Sequence, residues 1–328
     1  MTPRVVAEAG QCMGSSVETA MRMAHLAKTA GAWGFKVQLL KPDTIARADA
    51  PKYWVDDLGT ATQREAFTKA GLIDYGAWHA VKEACDEYGI EFLATPFDIE
   101  AVDALEAIGV THYKIASGDI TYAQLLRYVA STGKHVILST GASTYGDIDR
   151  AMDWLNPMRL TLLACTLSYP TPSDAAHLGR IEKLKRWGVP VGYSDHTSDP
   201  LTAFGAAVLG ADIIEVHYTY DNDGPDVPDH RMAVNPERLA VYCKSARAGA
   251  LYRGDPNLAV ANEERAARRG ARRSLCASRD LPSGHVLTYP DLVALRPGDG
   301  WEPYMADELI GRSLPTPLRA GERIPPIG

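Results

Sequence analysis

The side chains of this 328-residue chain that can do chemistry gather at the ends of short β-branched runs. Ser194-Asp195-His196 ends one run, and Glu215 with His217 ends the next. On neighbouring parallel strands, ~4.8 Å apart, the two imidazoles can share one divalent ion. Nitrogen and oxygen ligands with open positions suit Mn²⁺, Fe²⁺ or Zn²⁺ acting as a Lewis acid. Glu8 ends the first run and is expected within reach of the same ion, directly or through water. One strand-end histidine needs only water or a backbone partner; the ligand reading rests on two coming together.

A second set is cationic. Lys36 and Gln38 lie at the end of the second run, Thr95 ends the third, Lys114, Ser117 and Asp119 follow on the fourth, and Tyr169 lies just beyond the sixth. A lone strand lysine usually snorkels or pairs. Two lysines beside Thr95 and Ser117 make a site for a small, densely anionic ligand such as a phosphorylated carboxylate. Lys114 can alternatively form a Schiff base, as in a metal-free aldolase, which leaves the paired histidines without a purpose.

These assignments need elements that bring distant residues to one place. From residue 4 to about 252, eight short runs alternate with stretches of helical period. The runs begin at Arg4, Gly34, Glu91, His112, His135, Leu160, Pro190 and Asp212. The segments Thr19 to Ala30, Ala77 to Tyr88 and Ile99 to Ile108 read as helices, each followed by a glycine (Gly31, Gly89, Gly109) suited to a C-cap. Eight βα units favour a closed (β/α)8 barrel, whose active sites form at the C-terminal strand ends. The fold-level alternative is an open doubly wound sheet, but no Gly-x-Gly-x-x-Gly follows an early strand. Two connections are long, Lys41 to about Asp74 and Tyr218 to Val234, the second carrying Asp221, Asp223, Asp226, Asp229 and His230. Long loops at that end of a barrel read as lids. The domain reading is a barrel over 1–260, a polar Arg-rich connector over 261–273 and a small β-rich domain over 274–328 with strands at Ser274–Ala277 and Val286–Thr288. Such a small domain is marginal alone and should dock to something.

Composition narrows the partners. A net charge of −7 gives no broad attraction for nucleic acid or anionic lipid, so an anionic substrate must be caught by a few placed cations. The five cysteines are an odd number without a C-x-x-C pair, which argues against disulfides and fits a reducing cytoplasm. No stretch reaches the ~20 apolar residues needed to span a bilayer.

The motifs carrying these residues resemble the sialic acid synthase family, N-acetylneuraminate synthase and its legionaminic and pseudaminic relatives, over almost the whole chain. Phe92-Leu93-Ala94-Thr95-Pro96-Phe97 is similar to F-x-S-T-P-F, Tyr113-Lys114-Ile115-Ala116-Ser117-Gly118 to Y-K-I-A-S-G, and Ile137-Leu138-Ser139-Thr140-Gly141 to I-L-S-T-G. Gly192-Tyr193-Ser194-Asp195-His196-Thr197 is similar to G-Y-S-D-H-T, and Pro228-Asp229-His230 to P-D-H. In the tail, Arg296-Pro297-Gly298-Asp299-Gly300 is similar to the motif of the appended antifreeze-protein-like (SAF) domain. The resemblance implies phosphoenolpyruvate held by Lys36, Thr95, Lys114, Ser117 and Ser194, with a divalent metal on His196 and His217, typically Mn²⁺, with Mg²⁺ or Co²⁺ as alternatives. It implies Glu8 and Asp229 as acidic residues near a sugar-aldehyde acceptor, Tyr169 as the tyrosine of an S-x-Y-P motif, Gln38 and Tyr169 among the substrate-binding residues, Asp119 in the place of a glutamate, and a 2-keto-3-deoxy acid as product. It further implies a homodimer that exchanges the small domain, bringing Arg296 to the partner's site.

Departures from the family pattern are equally specific. After Glu8-Ala9-Gly10 the family reads x-N-H-x-G, whereas this chain has Gln11-Cys12-Met13-Gly14; Asp119 is one methylene shorter than the usual glutamate, and Leu167 stands where an asparagine is sometimes found. The expectation is therefore that ordinary N-acetylmannosamine is not the acceptor or is a poor one. Two rival readings stand beside the synthase. One is a two-His-one-carboxylate enzyme built on Glu8, His196 and His217, which leaves both lysines unexplained. The other is a catalytically inactive carbohydrate-binding or assembly homologue that kept the scaffold.

Overall fold

The structure, a computed structural model, describes residues 2–54, 58–222, 228–257 and 259–327. Eight parallel strands close into a barrel in chain order: β1 (Arg4–Glu8), β2 (Gly34–Leu39), β3 (Glu91–Pro96), β4 (His112–Ile115), β5 (His135–Ser139), β6 (Leu160–Cys165), β7 (Val191–Asp195) and β8 (Ile213–His217). Closure comes through β1, where Glu8 lies beside Lys36 of β2 on one side and beside His217 of β8 on the other. The barrel reading holds, and the open sheet is excluded.

The two-residue strand period sorts the interior into layers. Val6, Leu93, Ile137, Leu163 and Ile213 form an apolar layer distinct from the larger core. Each such side chain contributes roughly 1.5–3 kcal/mol by leaving water. Gly192 completes the layer because a Cβ there would lie 2.3 Å from the Ile213 carbonyl oxygen and 2.5 Å from Leu163 Cδ2. Two residues further along the same strands come Glu8, Thr95, Ser139, Cys165, Ser194 and Glu215, so the same parity that fills the core aims these groups at the barrel mouth.

The outer helices follow the expected pattern. Ser16 caps Val17–Thr29 by accepting from Thr19 N at 3.0 Å. The helices Trp78–Tyr88 and Ile99–Ile108 end on Gly89 and Gly109 in the left-handed conformation, whereas Gly31 comes one residue after the Ala30 cap. The connection after β2 is partly helical, with Pro42–Ile45 and Gln63–Ala70, the second opened by a Thr62–Glu65 capping box. In the connection after β8, Asp223 and Asp226 lie outside the described residues; its far end carries a 3₁₀ turn at Pro228–Arg231.

The chain divides into two compact units, Met1–Asp255 and Pro256–Gly328, five residues earlier than the expected 260/261 boundary. The connector expected over 261–273 is largely helical, with Arg265–Ala271 as its main element. The second unit packs Leu275, Ala277, Leu281, Leu287, Leu309, Leu314 and Ile324 around an antiparallel pair, β9 (Ser274–Ala277) and β10 (Leu292–Leu295). The strand expected at Val286–Thr288 is a correction: only Val286 bridges, to Ser313. Thr288 instead starts a tight turn, because its N–H and hydroxyl both donate to the Asp291 carboxylate, at 2.9 and 2.7 Å. All five cysteines are free and buried. Among the described residues no helix is long and apolar enough to cross a membrane.

Candidate active site

A cavity of about 350 Å³ opens at the C-terminal mouth of the barrel, reaching from Glu8 and Lys36 to Asp229. Its floor is a buried layer of paired charges. Lys36 Nζ is 2.5 Å from Glu8 Oε2, 3.7 Å from Glu215 Oε2 and 3.3 Å from Thr95 Oγ1. Lys114 Nζ donates to Ser139 Oγ at 2.7 Å and to the Ile115 carbonyl at 3.0 Å, with Glu215 Oε1 at 3.9 Å. Gln38 Nε2 donates to Glu8 Oε1 at 2.8 Å, and Ser194 Oγ to Glu215 Oε1 at 2.9 Å. Burial works against the charge on Lys36, but Glu215 and Glu8 outweigh it and raise its pKa. Burial dominates at Lys114 and lowers its pKa despite Glu215. Burial would push Glu215 up, yet Lys114 and Lys36 together hold its carboxylate below the usual range.

At the rim of this layer, Ser117 Oγ accepts from Gly141 N at 2.9 Å and touches Cys165 Sγ at 3.2 Å. Asp119 ends the same short turn, and burial pushes its pKa up to about 6, with Lys114 opposing.

The two histidines come together as expected. Their ring centroids are 5.5 Å apart, and the Tyr169 ring packs against both, at 4.4 Å from His196 and 5.9 Å from His217. The His196 Nδ1–H donates to the Thr166 carbonyl at 2.6 Å, which leaves Nε2 with its lone pair. Burial, then His217, keeps this imidazole neutral down to about pH 3. His217 Nδ1 is buried, has no hydrogen-bond partner among the described residues and lies 3.6 Å from Asp229 Oδ1. Two buried imidazoles, each with an unspent nitrogen, fit a divalent ion. Among the described residues no group of three His, Cys, Asp or Glu stands ready to hold a metal ion, and Glu8 is bonded to Lys36 and Gln38 rather than to the histidines.

Several groups in the site carry no mark in the sequence. Glu215 reads there only as a strand end, although it shares the parity of His217 and joins both lysines. Asp195, fully buried, faces the helices: it accepts from Thr202 Oγ1 at 2.6 Å, Tyr242 OH at 2.9 Å and Thr197 N at 2.9 Å, fixing the turn that carries His196. Tyr53, Trp54 and Phe67 of the long connection after β2 line the cavity mouth; nothing in their spacing marks them. Arg296 lies in the second unit, exposed, directly after β10.

Comparison with known proteins agrees with this geometry. N,N'-diacetyllegionaminic acid synthase of Legionella pneumophila is 32% identical over 98% of this chain and 93% of its own. The crystal structure of an N-acetylneuraminic acid synthetase from Leptospira borgpetersenii, solved with citrate, is 29% identical with a TM-score of 0.72 over 81% of this chain and 90% of its own. That of a spore coat polysaccharide biosynthesis protein E from Chromobacterium violaceum is 26% identical with a TM-score of 0.80 over 98% of both chains. The pattern of the SAF domain matches residues 272–326. The pattern of the NeuB family matches residues 23–257, most of the chain and nearly all of its barrel, and the chain belongs to the NeuB family.

Proposed function

We propose that this protein condenses phosphoenolpyruvate with an open-chain sugar aldehyde to give a nonulosonic-type 2-keto-3-deoxy acid and phosphate. The observation that carries the reading is one buried layer in which Lys36 and Lys114 stand with Thr95, Ser139 and Ser194 at the foot of a cleft that also holds a pair of buried histidines. Two cations amid hydroxyls suit a ligand bearing both phosphate and carboxylate. Relatives named as legionaminic, pseudaminic and neuraminic acid synthases make the same chemistry the natural reading here.

In this reading C3 of phosphoenolpyruvate forms the new bond to the aldehyde carbon, water supplies the oxygen at C2, and phosphate departs. Lys36 and Lys114 hold the anionic groups and Thr95, Ser117 and Ser194 orient them. Glu8, fixed by Lys36 and Gln38, and Asp229, beside His217, face the acceptor end of the cleft. Asp119 still carries its proton near pH 6 and can exchange it with the entering water or the leaving phosphate. His196 and His217 would hold a divalent ion, Mn²⁺ before Mg²⁺ or Co²⁺, which when bound supplies Lewis-acid stabilisation of the charge that develops on the aldehyde oxygen. The working form is a homodimer that exchanges its small domain.

The test is to mix purified protein with Mn²⁺, phosphoenolpyruvate and a panel of 2-acetamido hexoses and other aldoses, following phosphate release and product mass. Phosphate release that depends on one aldose supports the reading. No release with any of them sinks it.

A further inference from the structure

We infer that the side-chain amide of Gln11 is the specificity contact for the acceptor, donating to an oxygen substituent near its aldehyde carbon. The inference deepens the synthase reading and rests on it. Gln11 is only 7% exposed, lines the cavity, and its Nε2 has no hydrogen-bond partner among the described residues. A buried amide N–H without a partner is costly, and native chains keep such groups where a ligand or water completes them.

The backbone at this point is held firmly. Gln11 N donates to Asp229 Oδ2 at 3.0 Å, while Asp229 Oδ1 lies 3.6 Å from His217 Nδ1. One carboxylate therefore ties the Gln11 turn, which follows β1, to His217 on β8, across the closed barrel from Lys114 on β4 and Ser139 on β5. An amide fixed there meets the acceptor sugar rather than the anionic substrate. Its donor matches a hydroxyl or amide carbonyl oxygen, and a sugar lacking oxygen at that position leaves it unpaired.

The experiment compares wild type with Gln11→Met, which keeps length and removes the amide. Three quantities are read: ligand-free Tm, the KM for phosphoenolpyruvate, and kcat/KM for the panel's best aldose and for its counterpart lacking the oxygen substituent next to the aldehyde. The expected result is a Tm raised by about 2–4 °C, since an unpaired buried donor is gone. The phosphoenolpyruvate KM should stay within about twofold, while kcat/KM for the better aldose falls at least tenfold and discrimination between the two sugars collapses. Unchanged discrimination in a folded variant overturns the inference. So does a rise in phosphoenolpyruvate KM as large as the loss on the aldose. A wild-type protein that releases no phosphate with any aldose sinks the synthase reading itself, which is a separate result.

Discussion

Asp229 occupies the space that a side chain at Gly10 would need: a Cβ built on Gly10 would lie 2.0 Å from Asp229 Oδ2. Gly10 also has φ +52, a left-handed conformation that costs other residues roughly 1–2 kcal/mol. Gly10→Ala should therefore lose that strain energy and in addition displace Asp229 from Gln11 N and His217. Gly109→Ala is the control, with φ +81 and open space around it. Chemical denaturation should show Gly10→Ala at least ~1 kcal/mol less stable than the control, and only Gly10→Ala should lose kcat/KM, by tenfold or more. Equal losses in the two variants would show that Asp229 is not seated by this glycine.

Removing Lys36 takes a cation from Glu8 and Glu215, and removing Lys114 takes one from Glu215 alone. Lys36→Met and Lys114→Met should each raise the KM for phosphoenolpyruvate by roughly 10–100-fold, the range for losing a charge-assisted hydrogen bond. Both should also lower Tm, Lys36→Met more, because Lys36 faces two carboxylates. Borohydride added during turnover should trap nothing. A covalent adduct at Lys114 found by mass spectrometry replaces this mechanism with the Schiff-base one.

His196→Ala and His217→Ala should each reduce turnover by at least ~10²-fold and lower bound metal, measured by elemental analysis, with a circular dichroism spectrum unchanged. Near wild-type turnover of both variants after chelation would remove the metal from the reading.

The pH dependence should carry the signature of Asp119. Unfolded, its carboxyl ionises near ~3.9; folded, near about 6 because it is buried. The native state therefore binds the extra proton between those values. This residue's contribution to stability is full below ~3.9 and is lost as pH rises through about 6. Asp119→Asn should match wild type in stability at pH 4 and exceed it by about 2–3 kcal/mol at pH 7.5, from two pKa units at ~1.4 kcal/mol each. It should also lose any limb near pH 6 in the kcat/KM profile. A stability difference that does not vary with pH contradicts the assignment.

Exchange of the small domain predicts complementation. Lys36→Ala and Arg296→Ala should each be inactive alone. After joint refolding, half of the dimers are mixed and carry one intact site of two, so about a quarter of wild-type activity should return. No recovery from correctly refolded mixed dimers means that Arg296 does not serve a partner's barrel.

The sequence alone determined the eight-strand rhythm, the strand ends and the residues placed there, because a period of two and the glycine caps are local properties written in neighbouring residues. It determined that Lys36, Thr95, Lys114, His196 and His217 would meet, since closing eight strands puts all of their C-terminal ends at one mouth. Tertiary structure alone decided which groups pair within that mouth. Glu8 turned to Lys36 and Gln38 rather than to the histidines, and Glu215 became the shared counter-ion of the two lysines. Those choices follow from cross-strand register and depth of burial, which no local pattern encodes. The same holds for Gln11, whose unpaired amide is meaningful only because Asp229, 218 residues away in sequence, holds its backbone in place. In the small domain, Val286–Thr288 had the composition of a strand, but Asp291 captured Thr288 and passed the pairing on to Leu292–Leu295; the competition between a side-chain cap and a ladder is settled only in the folded chain.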